Sequence, residues 1–282
     1  MSTLSERAYH ALAEVIYEHT GVVFDDGKRY VVERRLLPRL AATGEDNFDD
    51  YVRRLKVGAW PAELDEVIDR VTNHETYFFR EAYNLRAFSD EVLPRVVRRI
   101  ESDATRRAPR LTLWSAGCAT GEEAYTIAML VRERGLDRRI QGRVIGTDVS
   151  PAALRVARRG IYREPSFRGV DSRRVAAYFR AAAGGEREVV PEIKEMVSFS
   201  RASLMDADAH ALFGDIDVAF CRNVLIYFDA ESRTRAVRLL YDRLAPGGYL
   251  LLGHSETLVA RASGFEVVAF RNDTVYRKPK AR

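Results

Sequence analysis

The sequence is poor in the features that mark secreted, metal-binding and membrane-spanning proteins. Its two cysteines, Cys118 and Cys221, lie in unrelated segments without the spacing of metal ligands. So few cysteines fit a reducing compartment. The N-terminal segment carries acids and has no long apolar core, so it does not resemble a signal peptide. No apolar run approaches the roughly 18 residues of a membrane span. We therefore expect a cytoplasmic protein that binds no metal and does not insert into a membrane.

The chain also lacks a strong excess of one charge. Its 282 residues include 45 Lys and Arg against 41 Asp and Glu, which leaves a formal net charge of +4. A mildly basic balance suggests an acidic partner surface, but it is too weak to indicate nucleic acid by itself. Apolar residues make up 46% of the chain, so we expect a folded globular protein.

Residues 1–72 show helical periodicity throughout. Four apolar stripes recur at helical spacing, and Gly21 and Gly44 mark two helix ends, whereas Pro61 suits a helix start. The pattern predicts an all-α N-terminal bundle of short helices.

Three basic residues of this region, Lys28, Arg35 and Arg39, fall at i, i+7 and i+11 on the second predicted helix. This spacing places them on one exposed helix face. The face is either a solvated surface or a docking surface for an acidic helix, and the sequence supports the two interpretations about equally.

From Leu111 onward, short apolar strands alternate with amphipathic helices, which indicates a parallel, doubly wound α/β sheet. One segment departs from the alternation. Gly184 and Gly185 lie between β-prone pieces where a crossover helix is due. We interpret residues 178–200 as an inserted antiparallel β-hairpin.

Three predicted strand ends carry candidate ligand-binding residues. The first is the small-residue turn 115–121, where Gly117 lets a ligand approach the backbone. The second is Asp148, which is placed to accept hydrogen bonds from two ribose hydroxyls. The third is Cys221-Arg222-Asn223. Two acids, Glu122 and Glu123, begin the helix after the turn, where they would repel a pyrophosphate. S-adenosylmethionine has a ribose, an ammonium group and a sulfonium but no phosphate, and it fits this combination.

Four motifs carry a more specific resemblance. The stretches "VTNHETYFFRE", "WSAGCATGEEAYTIAM", "FCRNVLIYF" and "GHSETL" resemble, in this order and at similar spacing, those of the CheR family of chemotaxis receptor methyltransferases, which are protein-glutamate O-methyltransferases. The similarity covers nearly the whole chain. It implies a Rossmann-like class I methyltransferase sheet domain at 91–282, with the β insertion, after an all-α domain at 1–72 and a junction at 73–90 that carries the TYFFRE motif.

The resemblance implies active-site roles for two residues. Arg80 and Tyr227 match family residues that line the site, and they are suitable groups to orient a carboxylate, so we expect them to be catalytic. A core aromatic is an equally good interpretation of Tyr227.

The resemblance also implies a cofactor site. Glu123 corresponds to the acid that meets the amino end of S-adenosylmethionine, and Asp148 to the acid that binds its ribose. His74 stands where the family typically has asparagine, and Ser203-Leu204 where an asparagine-leucine pair usually contacts adenine. The expected cofactor-binding residues are His74, Thr76, Arg80, Gly117, Glu123, Asp148, Ser203, Leu204, Arg222 and Asn223.

The implied reaction is methyl transfer from S-adenosylmethionine to glutamate side chains in the cytoplasmic helical region of methyl-accepting chemotaxis receptors, with S-adenosylhomocysteine as product. A glutamate is ionised at neutral pH, so the displacement needs alignment rather than a general base. Lys28, Arg35 and Arg39 would face the acidic methylation region, and the hairpin would be a second receptor contact. Nothing in the sequence requires more than a monomer or a nucleic-acid partner.

Two other functions stay open at this point. A nucleic-acid methyltransferase could use the same sheet, but the strand end reads Arg222-Asn223-Val224-Leu225 instead of an Asn-Pro-Pro-Tyr type motif. A non-catalytic signalling module that binds the cofactor or a receptor is kept open by His74 and Ser203, which differ from the family pattern.

Overall fold

The N-terminal domain is a bundle of four helices. The computed structural model describes residues 3–102, 110–136, 140–258 and 263–280. The helices are α1 (Glu6–Thr20), α2 (Arg29–Thr43), α3 (Phe48–Lys56) and α4 (Pro61–Val71). Gly21 and Gly44 end α1 and α2 in the left-handed conformation, and Pro61 is the first residue of α4. The apolar stripes of all four helices meet in one buried cluster, as their periodicity predicts.

A long helical stretch leads from the bundle into the sheet domain. It consists of α5 (Ala82–Arg86), a π-helical segment (Ala87–Val92) and α6 (Leu93–Ser102). Apolar residues of this stretch, including Phe88 and Leu93, are fully buried against the sheet. The helix therefore covers one face of the sheet before the first strand begins.

The second domain is built on a seven-stranded sheet. Its strands are β1 (Arg110–Ala116), β2 (Gln141–Asp148), β6 (Val197–Arg201), β7 (Ile216–Cys221), β8 (Leu244–Leu252), β9 (Glu266–Ala269) and β10 (Thr274–Arg277). Their order in the sheet is β6-β2-β1-β7-β8-β10-β9. The strands from β6 to β8 pair in parallel, whereas β10 pairs antiparallel with β8 and β9. The main helices between them are α7 (Glu122–Glu133), α8 (Pro151–Arg159) and α11 (Ala230–Arg243).

The predicted α/β fold class is confirmed. The direction in which successive strands are added to the sheet reverses at β1, because β2 and β6 lie on one side of it and β7 and β8 on the other. In open α/β sheets a ligand binds beyond the carboxyl ends of the strands at such a switch point. The three strand ends singled out from the sequence belong to these three strands, so the topology brings them together.

The inserted subdomain differs from the predicted hairpin at both ends. It is a three-stranded antiparallel sheet of β3 (Ile161–Tyr162), β4 (Phe179–Ala181) and β5 (Arg187–Val189), with α9 (Ser172–Tyr178) and α10 (Pro191–Lys194). The expected hairpin is present as β4 and β5, but the end of the 178–200 segment is the strand β6, which pairs with β2 at the edge of the main sheet. The β-prone sequence of β6 follows the hairpin closely, whereas its partner strand β2 is distant in sequence. The local pattern therefore could not separate the two sheets.

Helix α4 holds the bundle against the sheet domain. Asp69 accepts a hydrogen bond of 2.5 Å from Ser150 Oγ, at the start of α8. One turn earlier, Asp65 pairs with Arg201 at the carboxyl end of β6, with an Nη1–Oδ2 distance of 3.0 Å. These contacts place the bundle over the carboxyl edge of the sheet. In the described part of the chain, no helix is both long enough and apolar enough to cross a membrane.

Candidate active site

A cavity of about 560 Å³ lies between the helical bundle and the carboxyl edge of the sheet. Its walls come from the bundle, from the 71–77 segment that joins the two domains, and from the ends of β1, β2 and β7. Most of the residues predicted for cofactor and substrate line it: Lys28, Arg35, His74, Thr76, Arg80, Gly117, Glu123, Asp148, Leu204, Arg222, Asn223 and Tyr227. Folding thus brings together residues that are up to 199 positions apart (227 − 28).

The small-residue turn after β1 forms one wall. The backbone N–H groups of Gly117 and Cys118 both donate to the carbonyl of Thr147, at 2.8 and 2.9 Å, which ties the turn to β2. Gly117 has a φ of 77°, and a Cβ at this position would lie 2.5 Å from Cγ2 of Val224. A side chain here would therefore strain the backbone and collide with the side chain of Val224, which packs against this glycine.

The two adjacent glutamates of the turn have different environments. Glu122 is buried beneath the wall, where it accepts hydrogen bonds from Thr120 Oγ1 (2.6 Å) and Ser166 Oγ (2.9 Å). Burial raises the pKa of Glu122 above its ordinary value. Glu123 lines the cavity and accepts hydrogen bonds from Ser115 Oγ (2.7 Å) and Arg222 Nη1 (2.9 Å). Glu122 therefore joins the turn to the inserted subdomain, and Glu123 presents its charge to a ligand.

Asp148, at the end of β2, is held by backbone N–H groups. Its Oδ1 accepts from Ser150 N at 2.9 Å and its Oδ2 from Ala119 N at 2.8 Å. Burial raises the pKa of Asp148, whereas the hydrogen bond from Ser150 and the nearby His74 oppose that rise. A carboxylate offers about four lone-pair sites. Backbone N–H groups of Ala119, Val149 and Ser150 use some of these sites, and a diol such as ribose can donate to the rest.

The segment between the domains holds the His74 ring through Thr72. The single hydroxyl hydrogen of Thr72 is donated to the carbonyl of Ile68 at 2.6 Å. In the 2.9 Å contact between Thr72 Oγ1 and His74 Nε2, the ring nitrogen is therefore the donor. The preceding Asn73 donates to the Tyr227 hydroxyl at 2.8 Å, which fixes this segment against the sheet domain.

Two arginines of the site have different surroundings. Arg222 is almost fully buried (2% of the side chain is exposed) and donates to Glu123, to Glu81 at 3.2 Å and to the carbonyl of Arg80 at 2.6 Å. Arg80 is more accessible, and it donates to the carbonyl of Glu75 at 2.9 Å. Arg222 is therefore placed to orient Glu123. Arg80 is the more accessible of the two cations to a carboxylate in the cavity.

Comparisons with known proteins decide the family. The sequence matches the family model described as "CheR methyltransferase, SAM binding domain" at residues 74–273, and that described as "CheR methyltransferase, all-alpha domain" at residues 7–72. This chain belongs to the CheR methyltransferase family. It is 36% identical to Chemotaxis protein methyltransferase 2 of Vibrio cholerae, over 94% of this chain and 91% of that protein. It is also 31% identical to the Chemotaxis protein methyltransferase of Escherichia coli, over 98% of this chain and 92% of that protein.

The residues of this CheR-family chain fit S-adenosylmethionine, and the chain is an S-adenosylmethionine-dependent methyltransferase. The cavity volume lies in the range of pockets that enclose small organic ligands. Glu123 supplies a negative charge suited to an ammonium group, and Asp148 supplies acceptors suited to a ribose diol. Within the residues that the structure describes, no group of three or more His, Cys, Asp or Glu side chains is placed to bind a metal ion.

The prediction that Lys28, Arg35 and Arg39 share an exposed face is wrong for Arg39. Arg39 Nε donates to Glu63 Oε1 at 2.9 Å, and only 4% of the Glu63 side chain is exposed. Arg35 donates to the carbonyl of Val71 at 3.1 Å, at the end of α4, and lines the cavity. Helical spacing placed the three side chains on one face, but it could not show that α4 packs along part of that face.

Ser203 does not line the cavity, unlike its neighbour Leu204. Its hydroxyl accepts a hydrogen bond from the backbone N–H of Met205 at 3.1 Å. The expected contact between its side chain and adenine stays a prediction, and of the pair only Leu204 lines the cavity.

Some residues of the site had no individual role predicted from the sequence. Ser115 and Glu81 hold Glu123 and Arg222 in place, and Val224 packs against the glycine turn. Three apolar residues close to Lys28 in sequence, Val23, Tyr30 and Val31, are exposed, and Val23 and Val31 line the cavity. The first group lies within the quoted motifs, whereas the apolar residues have no local signal.

Proposed function

We propose that the protein transfers the methyl group of S-adenosylmethionine to glutamate side-chain carboxylates of methyl-accepting chemotaxis receptors, giving glutamyl methyl esters and S-adenosylhomocysteine. The observation that carries the proposal is the presence, in one cavity, of two acids suited to the cofactor and of Arg80, a cation suited to a substrate carboxylate. The names of the relatives, which are chemotaxis protein methyltransferases, support the receptor as the substrate.

The bound cofactor supplies a methyl group on an activated sulfonium. Transfer of this methyl group to a glutamate oxygen would give the glutamyl methyl ester and leave S-adenosylhomocysteine, a neutral thioether. The attacking carboxylate is already ionised at neutral pH, so no proton needs to move. The protein contributes alignment, because Arg80 and the Tyr227 hydroxyl orient the carboxylate.

The cofactor contacts follow from the placement of each group. Glu123 holds the amino end, Asp148 holds the ribose, and Gly117 allows close approach to the backbone. We assign further contacts to His74, Thr76, Leu204, Arg222 and Asn223 because they line the same cavity. His74 takes the place of the asparagine that is typical of the family.

The proposed partner is the cytoplasmic helical region of a receptor. Lys28 is about half exposed at the cavity mouth, where its side chain also pairs with Asp25 at 3.2 Å. The neighbouring apolar residues Val23 and Val31 would pack on the apolar side of an amphipathic helix. We propose that the protein acts in the cytoplasm as a monomer, without nucleic acid.

The test uses methyl-labelled S-adenosylmethionine with receptor cytoplasmic fragments, and RNA as a parallel substrate. If the receptor becomes labelled and alkali releases this label as methanol, the result would support the formation of a glutamyl methyl ester. The variant Arg80→Met should lose most of the transfer, whereas Arg238→Met, which changes an exposed arginine of α11, should not. Label on RNA alone would refute the proposal. Binding of S-adenosylhomocysteine without transfer to either would favour the non-catalytic signalling module.

A further inference from the structure

Glu256, in the loop after β8, joins two loops of the sheet domain through its carboxylate. The residue is buried, with 8% of its surface exposed. Its Oε2 accepts hydrogen bonds from Asn223 N (2.7 Å) and Gly253 N (2.8 Å), and its Oε1 accepts from Val224 N (2.9 Å). One carboxylate thus binds three backbone N–H groups, two of them consecutive residues of the loop after β7.

The backbone of that loop needs such a partner. Asn223 has a φ of 60°, a left-handed conformation that non-glycine residues adopt at a cost and keep only when their surroundings enforce it. Gly253 permits the contact, because a Cβ there would lie 2.7 Å from Glu256 Oε2 and 2.9 Å from Asn223 N. The glycine and the glutamate together therefore fix the conformation of Asn223.

The same loop forms a wall of the active site. Val224 packs directly against Gly117 in the wall of the cavity, where a Cβ on Gly117 would lie 2.5 Å from Val224 Cγ2. The carbonyl of Val224 accepts from Tyr227 N at 3.1 Å, which begins the short turn that presents Tyr227. The Tyr227 hydroxyl in turn receives the hydrogen bond from Asn73. A shift of the 223–224 peptide would therefore move Tyr227 and the segment that closes the cavity.

We propose that Glu256 is a positioning residue that holds this wall, and through it Tyr227, in the geometry needed for methyl transfer. Its effect is mainly on turnover, because the two acids proposed to hold the cofactor, Glu123 and Asp148, are held by other groups on β1, β2 and their loops. Asn223 is the proposed cofactor contact that Glu256 holds directly. The kinetic part of this inference rests on the proposed function, whereas the structural part does not.

The test is Glu256→Gln, which keeps the shape but offers one oxygen to three N–H groups and turns an NH₂ group toward the backbone. Hydrogen exchange at the amides of Asn223, Val224 and Gly253 should accelerate at least tenfold. The kcat on receptor fragments should fall about 100-fold, as expected for a misplacement near 1 Å, while the Kd of S-adenosylhomocysteine rises by at most about tenfold, the contribution of one neutral hydrogen bond at Asn223. The control is Asp217→Asn, at the opposite end of β7, which also alters a buried carboxylate that accepts a backbone N–H and which in addition pairs with Arg99.

Unchanged exchange at these amides would overturn the inference, and so would accelerated exchange with an unchanged kcat. A parallel loss of kcat and affinity that Asp217→Asn reproduces would indicate a purely structural role and would also overturn it. If the wild-type protein methylates no receptor fragment, the proposed function fails, and the exchange measurement still decides whether Glu256 holds the wall. Should the glutamine variant not fold, Gly253→Ala displaces the carboxylate and is measured in the same way.

Discussion

The two adjacent glutamates after the glycine turn provide the sharpest test of the site. Replacing each by glutamine removes one negative charge with little change of shape. Glu123 faces the cavity beside Arg222, whereas Glu122 is buried against Thr120 and Ser166. We expect Glu123→Gln to weaken binding of S-adenosylhomocysteine and Glu122→Gln to leave it nearly unchanged.

The expected magnitude follows from the lost charge at Glu123. Hydrogen bonds to charged groups contribute about 1.5–3 kcal/mol, which corresponds to about 10- to 150-fold in Kd. Glu122→Gln should cost little, because the hydroxyls of Thr120 and Ser166 can each donate to an amide oxygen or accept from an amide NH₂.

The pH dependence of stability separates the two variants further. Burial raises the pKa of Glu122 above its ordinary value of 4.5, so the folded state binds this proton more tightly than the unfolded chain. Its stabilising contribution is therefore fully present below pH 4.5 and is lost as the pH rises through the folded-state pKa. The glutamine variant should lack this dependence, and its stability relative to the wild type should rise with pH over that window.

The assay is titration calorimetry with S-adenosylhomocysteine at neutral pH, together with thermal melts from acidic to neutral pH. The assignment of the two roles would be refuted if Glu122→Gln weakened binding as much as Glu123→Gln. It would also be refuted if Glu123→Gln bound within about threefold of the wild type, since a charge-assisted contact contributes more than that.

Three further changes test the packing around the site. Arg39→Met should lower the free energy of unfolding by about 3–5 kcal/mol, because it leaves Glu63 buried without its cation; an unchanged urea midpoint would contradict this. Gly146→Ala should cost about 1–3 kcal/mol by overpacking, because its Cβ would lie 2.7 Å from the Phe199 ring. Adding Phe199→Leu should recover most of that loss, and a double variant no more stable than the single one would argue against the steric cause. Asp69→Asn, at the contact between bundle and sheet, should lower stability by about 1 kcal/mol as a weakened helix cap does and weaken S-adenosylhomocysteine binding a few-fold by calorimetry; wild-type values for both would contradict the coupling.

Much of the fold could be predicted because it follows from local patterns. The apolar stripes of the N-terminal helices recur at helical spacing, and Gly21 and Gly44 end their helices as expected. The alternation of strands and helices likewise predicts a parallel sheet whose strand ends meet. The position of β6 could not be predicted, since an edge strand and a hairpin strand share the same local preference.

The sequence by itself determined which chemical groups this protein can bring to a ligand: a glycine turn, an acid at the end of β2, and motifs shared with a family of methyltransferases. Only the tertiary structure decided how each group is used. It buries Glu122 and exposes its neighbour to the cavity, and it pairs Arg39 with a buried acid while Arg80 stays accessible. The physical reason is that charge and shape are local properties of a residue, whereas burial and partner choice depend on elements that are distant in sequence and meet after folding.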